Sequence, residues 1–440
     1  MALIISVCSI LLLIFVGMSI PYCFLSGSLL FALLSGSGTG SYVSTAFYSL
    51  NSFSVLAIPL FMIAGTLMEK SGIARTLIDL AEAMLRKVKG GMSATIPVVA
   101  CFFGALSGSG TATVTTLSSM MAPRLKELGW DKRYIAALIA ASGPLGYMIP
   151  PNMNAIIYAT VSDASVAALF LATVIPGLIW AGLYLVANRM VYADWFHPEK
   201  ASLPASESSP SIPEDNRQGK KKSVFVQAIP AFLMPVIIMG GIYGGIFTPT
   251  EAGAVGCLYG LIVGIAIYKT INLKGAFKSF IETGSGLGSI LIMFPMTLMF
   301  SRIMVVNNVP AMVTAFITGV SSNKYVIMLI VDIVLLLAGC FLDAGVLLLV
   351  FTPLLLPTAN MIGMSQVQLG VVMFVAVGVG TITPPMAMNL FITGKVCDVS
   401  VKEVVRPLLP FLFVSLFVML LVTYVPEVSI FLPKLVLGNV

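Results

Sequence analysis

The sequence predicts an all-α polytopic membrane protein, an inverted structural repeat in which each half contributes one re-entrant helical hairpin and one broken helix. Three observations carry that prediction. The 440 residues are 58% apolar and only 10% charged, with a mean hydropathy of +1.03, whereas a soluble chain carries about 25% charge. A shift of 234 residues superposes Pro123 on Pro357, Gly129 on Gly363, Gly146 on Gly380, Pro150 on Pro384 and Pro151 on Pro385 without a gap. Matched loops also differ in charge: Arg124, Lys126, Lys132 and Arg133 follow Pro123, while the stretch after Pro357 has none. Cytoplasmic loops collect Lys and Arg, so matched loops fall on opposite sides of the bilayer.

At roughly 20 apolar residues per crossing, this composition supplies about a dozen spans. The opening segment, Met1 to Phe24, lacks a basic leading region and reads as a membrane segment rather than a cleaved signal. Spans are expected at 3–18, 22–38 and 52–68, with Gly17, Gly27 and later Gly256 as small-residue helix contacts. Residues 70–89 place Ile73, Leu77, Leu80 and Met84 at helical spacing with Arg75, Glu82, Arg86 and Lys89 between them, an amphipathic helix for the cytoplasmic interface. A hairpin at 94–123, a broken helix at 134–160 and a span at 166–190 complete a first unit, 1–192. Residues 193–224, Ser/Pro-rich and carrying Lys220, Lys221 and Lys222, form a polar linker.

The second unit, 225–440, repeats the plan with spans at 225–246, 250–268 and 283–303, a hairpin at 325–357, a broken helix at 366–395 and a span at 404–425. Glu251 is placed to open a helix with its carboxylate on the positive end. On this ladder all Lys and Arg except Arg302, Lys324 and Lys434 lie on one side, which makes the linker cytoplasmic and the N-terminus external. A further crossing within 305–320 would reverse the C-terminus, whose side stays open.

The hairpins and broken helices are where binding is expected. Ser107-Gly108-Ser109-Gly110-Thr111 is the poorest helix-forming stretch of the first hairpin, so two half-helices meet there at mid-depth. The second hairpin breaks near Asp343, and Gly143 to Pro151 and Gly378 to Pro385 interrupt the paired helices. Helix ends inside a bilayer leave backbone groups that need partners. Carbonyls and hydroxyls suit a hard cation, and helix N-termini suit an anion. A first cation site is therefore expected from Ser107, Gly108, Ser109, Thr111, Gly143, Gly146 and Pro150. A second is expected from Gly339, Asp343, Gly378, Gly380, Thr381 and Thr383. An organic anion is expected near Ser109, Gly110, Thr111, Asn152, Gly345 and Pro385. Asp343 caps the second half-helix, binds a cation, or does both. Arg302 on the outer face either snorkels or docks a partner.

Other chemistries find little support. The net charge of +6 sits in loops between apolar runs and follows topology, not a nucleic-acid face. The six Cys lie in or beside apolar segments and read as packing residues. The single His197 falls in the polar stretch, away from any intramembrane triad or zinc site. Asp332, expected near the start of its hairpin, stands 11 residues from Asp343, about 16 Å along a helix and too far for a shared-proton pair.

The segments IPLFMIAGTLMEKSGIARTLIDLA, FFGALSGSGTATVTTLSSMMAP, GPLGYMIPPN, GGIYGGIFTPTEAGAV and TPPMAMNLFI resemble the large membrane subunit of tripartite ATP-independent periplasmic (TRAP) transporters, in matching order over nearly the whole chain. The resemblance implies an elevator-type secondary transporter of the bacterial inner membrane, driven by sodium ions and importing carboxylates such as dicarboxylates, sialic acid or sugar acids. It also implies two protein partners, a small four-helix membrane subunit and a periplasmic substrate-binding protein, and no enzymatic activity. A stand-alone sodium/dicarboxylate symporter built on the same plan is the alternative.

Overall fold

A computed structural model describes residues 1–36, 38, 40–85, 90–197 and 224–438. Most of the linker, with Lys220 to Lys222, and also Arg86 and Lys89 lie outside the described residues, as do the side chains of Arg75 and Ala74. All elements among the described residues are helical apart from one isolated bridge, Trp130 to Phe196. Among the described residues six helices are long and apolar enough to cross a membrane: Phe53–Lys70, Val166–Asp194, Pro249–Ile267, Leu273–Val306, Ala344–Met361 and Val401–Tyr424.

Helices α1 (Ala2–Phe15) and α2 (Ile20–Ser35) form an antiparallel pair. Gly27 lets Ile10 approach where a Cβ would collide with it, as expected of a small-residue contact. Gly17 does not fill that role. It sits in the connecting turn at φ +87° with open space around it, so its use is conformational. An unanticipated helix, α3 (Gly40–Leu50), lies against the long helix α14 (Leu273–Val306). Helix α4 (Ala57–Lys70) packs along α13 (Pro249–Ile262), where Gly256 meets Ala64 and Ile238 and Cys257 Sγ donates to Leu60 O at 3.0 Å. Glu251 opens α13 in a capping box with Thr248, as its position suggested.

Helix α5 (Ile73–Leu85) is the amphipathic segment, with Ile73, Leu77 and Leu80 buried against α6 (Gly91–Ser107) and α12 (Val224–Tyr243). Met84, expected on that face, is exposed instead. Helix α6 and helix α7 (Gly110–Glu127) make the first hairpin, followed by α8 (Lys132–Ser142), the single turn α9 (Leu145–Met148), α10 (Met153–Ala159) and the long α11 (Val166–Val191). Helices α16 (Lys324–Gly339) and α17 (Ala344–Met361) make the second hairpin, followed by α18 (Gln366–Gly380) and α19 (Met388–Cys397). Pro123 and Pro357 do not end the hairpins, because both lie inside helices that continue to Glu127 and Met361.

The expected span 283–303 is the later part of α14, which begins ten residues earlier, at Leu273. A separate short helix, α15 (Val309–Val320), follows it, and α21 (Pro426–Leu437) extends past α20 (Val401–Tyr424). The core is continuous between the sequence halves. Tyr184 bonds Ser415 at 2.6 Å, Tyr158 donates to Gln366 O at 2.7 Å, and Lys126 and Lys132 donate to the carbonyls of Cys397 and Asp398. Of the cysteines, Cys23, Cys257, Cys340 and Cys397 are buried as packing residues, while Cys8 is exposed.

Candidate functional site

The tip of the first hairpin is held open by its own sequence. Helix α6 stops at Ser107 because Gly108 turns to φ +60°, and Ser109, in extended geometry, caps α7 through its hydroxyl. Ser107 Oγ donates to Phe103 O at 2.9 Å, and Ser109 Oγ bonds Thr111 Oγ1 at 3.2 Å. This tip seats on the break between α8 and α10. The Met153 amide donates to Gly108 O at 3.2 Å. A Cβ on Gly104 would stand 2.7 Å from Gly146 Cα, and one on Gly110 would stand 2.7 Å from Gly143 O. Ser107, Gly108, Ser109, Thr111, Gly143 and Gly146 are thus brought together. Pro150 lies in the bend between α9 and α10, just before Pro151, whose carbonyl abuts Gly108.

The second tip follows the same plan. Residues Cys340 to Leu342 separate α16 from Asp343, which caps α17 by accepting from the Gly345 amide at 3.1 Å. Gly339 and Gly380 meet backbone to backbone, with no room for a Cβ on Gly380. Thr381 Oγ1 donates to Gly378 O and Thr383 Oγ1 to Val379 O, each at 2.7 Å, and Thr381 Oγ1 also accepts from Asn389 Nδ2 at 3.2 Å, which leaves each hydroxyl at least one lone pair. Gly378 points elsewhere, because a Cβ there would meet Pro144 and Trp180 on the first-half side. Asp343 is exposed at its tip and lies within electrostatic reach of Tyr147 in the first break. The Pro150–Pro151 and Pro384–Pro385 peptide bonds are both cis.

Among the residues expected near an anion, Ser109, Gly110 and Thr111 form the start of α7. Gly345 stands against Met293 of α14, and Pro385 is exposed. Asn152 is only 1% exposed, and its side chain is engaged. Its Oδ1 caps α10 by accepting from Ala155 N at 2.8 Å, while Nδ2 donates to Thr173 Oγ1 at 3.5 Å. Arg302 is exposed on α14. Asp332 does not lie near the start of its hairpin. It lies midway along α16, 2% exposed, with Oδ1 accepting from Thr423 Oγ1 at 2.9 Å, because α20 covers that face of the hairpin.

Two residues of this region carried no sequence signal. Tyr147 packs its ring on Gly110, and Asn389 of α19 reaches both breaks. Both stand in motifs dominated by Gly and Pro, which draw attention from the polar residue beside them. The donor set suits a hard monovalent cation: carbonyls, hydroxyls, glycine-lined close approaches and a buried amide oxygen, Asn389 Oδ1, without a hydrogen-bond partner among the described residues. Among the described residues no cluster of three or more His, Cys, Asp or Glu could hold a transition metal.

Residues 7–428 match the family model of the tripartite ATP-independent periplasmic transporter, DctM component. The isethionate TRAP transporter permease protein DctMQ of Oleidesulfovibrio alaskensis is 34% identical over 88% of this chain, which spans 59% of that relative's length. The C4-dicarboxylate TRAP transporter large permease protein DctM of Pseudomonas aeruginosa is 32% identical over 93% of both chains. The sialic acid TRAP transporter large permease protein SiaM of Vibrio cholerae is 30% identical over 97% of both. Solved structures share the fold at low identity. The Alcanivorax borkumensis YdaH transporter gives a TM-score of 0.61 at 12% identity over 86% of each chain. Neisseria gonorrhoeae MtrF gives 0.60 at 14% identity, over 89% of this chain and 85% of its own. A match running almost from end to end, on a helical body with apolar spans, places this chain in the DctM component family of TRAP transporters, a family of multi-pass membrane permeases and not of enzymes.

Proposed function

We propose that the chain is the transport subunit of a sodium-coupled importer of small organic anions, working with a small membrane subunit and a periplasmic binding protein. The observation that carries this reading is the paired seating of each hairpin tip, through glycine backbone, on a break in a neighbouring helix: Gly108, Gly110 and Gly146 in one half, Gly339 and Gly380 in the other. Bound sodium supplies the driving force from its gradient. The chain's own groups have distinct tasks. Ser107, Ser109, Thr381 and Thr383 offer hydroxyl oxygens, and Gly143 and Gly146 bring backbone close enough to share them. Asp343 gives the second tip a carboxylate at the start of α17. The start of α7 at Ser109, Gly110 and Thr111, together with Gly345 and Pro385 of the second half, is where we place the anion, since helix N-termini favour negative charge.

Substrate class is supported by the printed names of the relatives, which cover C4-dicarboxylate, sialic acid and isethionate. Their shared chemistry is a small organic body with an anionic head. The repeated hairpin-plus-break arrangement and the opposite charge of matched loops support two inverted units, 1–192 and 225–440, joined by a cytoplasmic linker with the N-terminus periplasmic. They also support an elevator in which the hairpins and broken helices move against the scaffold. Arg302 is exposed on α14, and we assign it to docking of the binding protein.

Uptake into proteoliposomes tests the reading. It should require an inward sodium gradient, the small subunit and the loaded binding protein together. Gly380→Ala should abolish it by wedging Gly339 away, while Gly182→Ala, in open space on α11, should leave it intact. Uptake of free substrate by this chain alone would favour a stand-alone symporter, and uptake indifferent to sodium would remove the coupling.

A further inference from the structure

The two candidate cation sites are joined by one side chain. Asn389 is 0% exposed at the start of α19. Its Nδ2 donates to Ala140 O of α8 at 3.3 Å and to Thr381 Oγ1 at 3.2 Å, and its backbone amide donates to Thr381 O at 3.1 Å. A Cβ on Gly143 would stand 2.5 Å from Nδ2, so the amide is pressed directly on the first break. The orientation of the amide follows from its partners. Ala140 O can only accept, and Thr381 Oγ1 already donates to Gly378 O, so the nitrogen must face both. Oδ1 is left buried without a hydrogen-bond partner among the described residues. Buried acceptors are matched in nearly all native structures, so an unmatched Oδ1 can take a water or an ion. The Thr381 hydroxyl beside it adds a second oxygen, an arrangement that suits a cation.

We propose that Asn389 couples the two sites, its amide bridging the breaks and its Oδ1 serving as an oxygen for a bound sodium ion. This rests on the sodium-coupled reading above. An ion that draws Oδ1 or Thr381 toward it shifts the same amide that braces Ala140 and Gly143. Occupancy of one site therefore changes affinity at the other, and the effect is reciprocal.

The test is a sodium titration of thermal stability on the full chain in lipid nanodiscs, with choline chloride as the ionic-strength control. Wild type should be protected by sodium with a Hill coefficient above about 1, since cooperative sites exceed unity. Asn389→Ala should raise the sodium midpoint about fivefold or more and bring the Hill coefficient to about 1. Asn389→Asp, which keeps an oxygen, should retain protection. Thr381→Val, which removes only the side-chain bridge, should lower the Hill coefficient and serves also if Asn389→Ala fails to accumulate. An unchanged midpoint and Hill coefficient in Asn389→Ala, with protection weakened in the Ser107→Ala/Ser109→Ala variant, would overturn this inference alone. Absence of any sodium protection in wild type would overturn the sodium-coupled reading and this inference with it.

Discussion

A carboxylate that accepts one hydrogen bond and has no counter-charge is costly to hold in an apolar interior. Asp332 is in that position, with Oδ1 on Thr423 and Oδ2 without a hydrogen-bond partner among the described residues. Its 11-residue spacing from Asp343 was readable, and so was the exclusion of a shared-proton pair. Its partner was not, because Thr423 lies 91 residues away and nothing local announces it. The same holds for Gly17: a glycine in an apolar run reads as a packing surface, and only the backbone angle identifies a turn. Thr423→Val should lower stability by about 1–3 kcal/mol by leaving the carboxyl wholly unpaired. Asp332→Asn in that background should restore part of the loss. Melting temperatures of the four proteins in a double-mutant cycle check this, and strictly additive effects would show that the bond contributes nothing.

The hairpin arms have 17, 18, 16 and 18 residues. An 18-residue helix is about 27 Å long, well beyond the half-thickness of a hydrocarbon core of about 30 Å. An arm that turns at mid-depth must therefore tilt or stand into the interface. Helix α7 is tied to its neighbours at two points: Thr116 donates to Glu69 of α4 at 2.7 Å, and Arg124 pairs with Glu82 of α5 at 2.7 Å. The amphipathic helix was legible from its spacing, whereas these bonds join elements that the sequence does not pair. Helix α3 escaped because Gly, Ser and Thr crowd its start and have poor helix propensity. Packing of Tyr42 with Phe31, Met299 and Ile303 decides it. Burial pushes the Glu82 carboxyl up to about 7 against the pull of Arg124. A folded-state acid raised in this way binds its proton more tightly than the unfolded chain does. Its contribution to stability is full below the ordinary value of 4.5 and is lost as pH rises to about 7. The melting temperature of wild type should thus fall more between about pH 5 and 8 than that of Glu82→Gln, and parallel profiles would contradict the shift.

For the whole molecule, composition pointed to a helical membrane protein, and the 234-residue offset marked the stretches where α6–α7 and α16–α17 turn and where the helices after them break, though both turning-back helices run on past Pro123 and Pro357. They could not reveal how the halves interlock, because Pro144 against Gly378 and Asn389 against Ala140 are meetings between distant segments. Orientation remains a prediction of charge. Cys at Lys221 should react with impermeant thiol reagents only from the cytoplasm and Cys at exposed Asn360 only from outside, in a background without reactive native Cys. Labelling of both from one side would end the inverted arrangement. The seam between Gly339 and Gly380 has a further consequence for descent. A contact with no space for even one methyl group fixes the clearance between two helices, so mutation has almost nothing to explore there. A change of cargo is therefore expected to come through side chains bordering the tips, such as Pro385 and Met386, and not through the seam, where any added side chain would part the two helices.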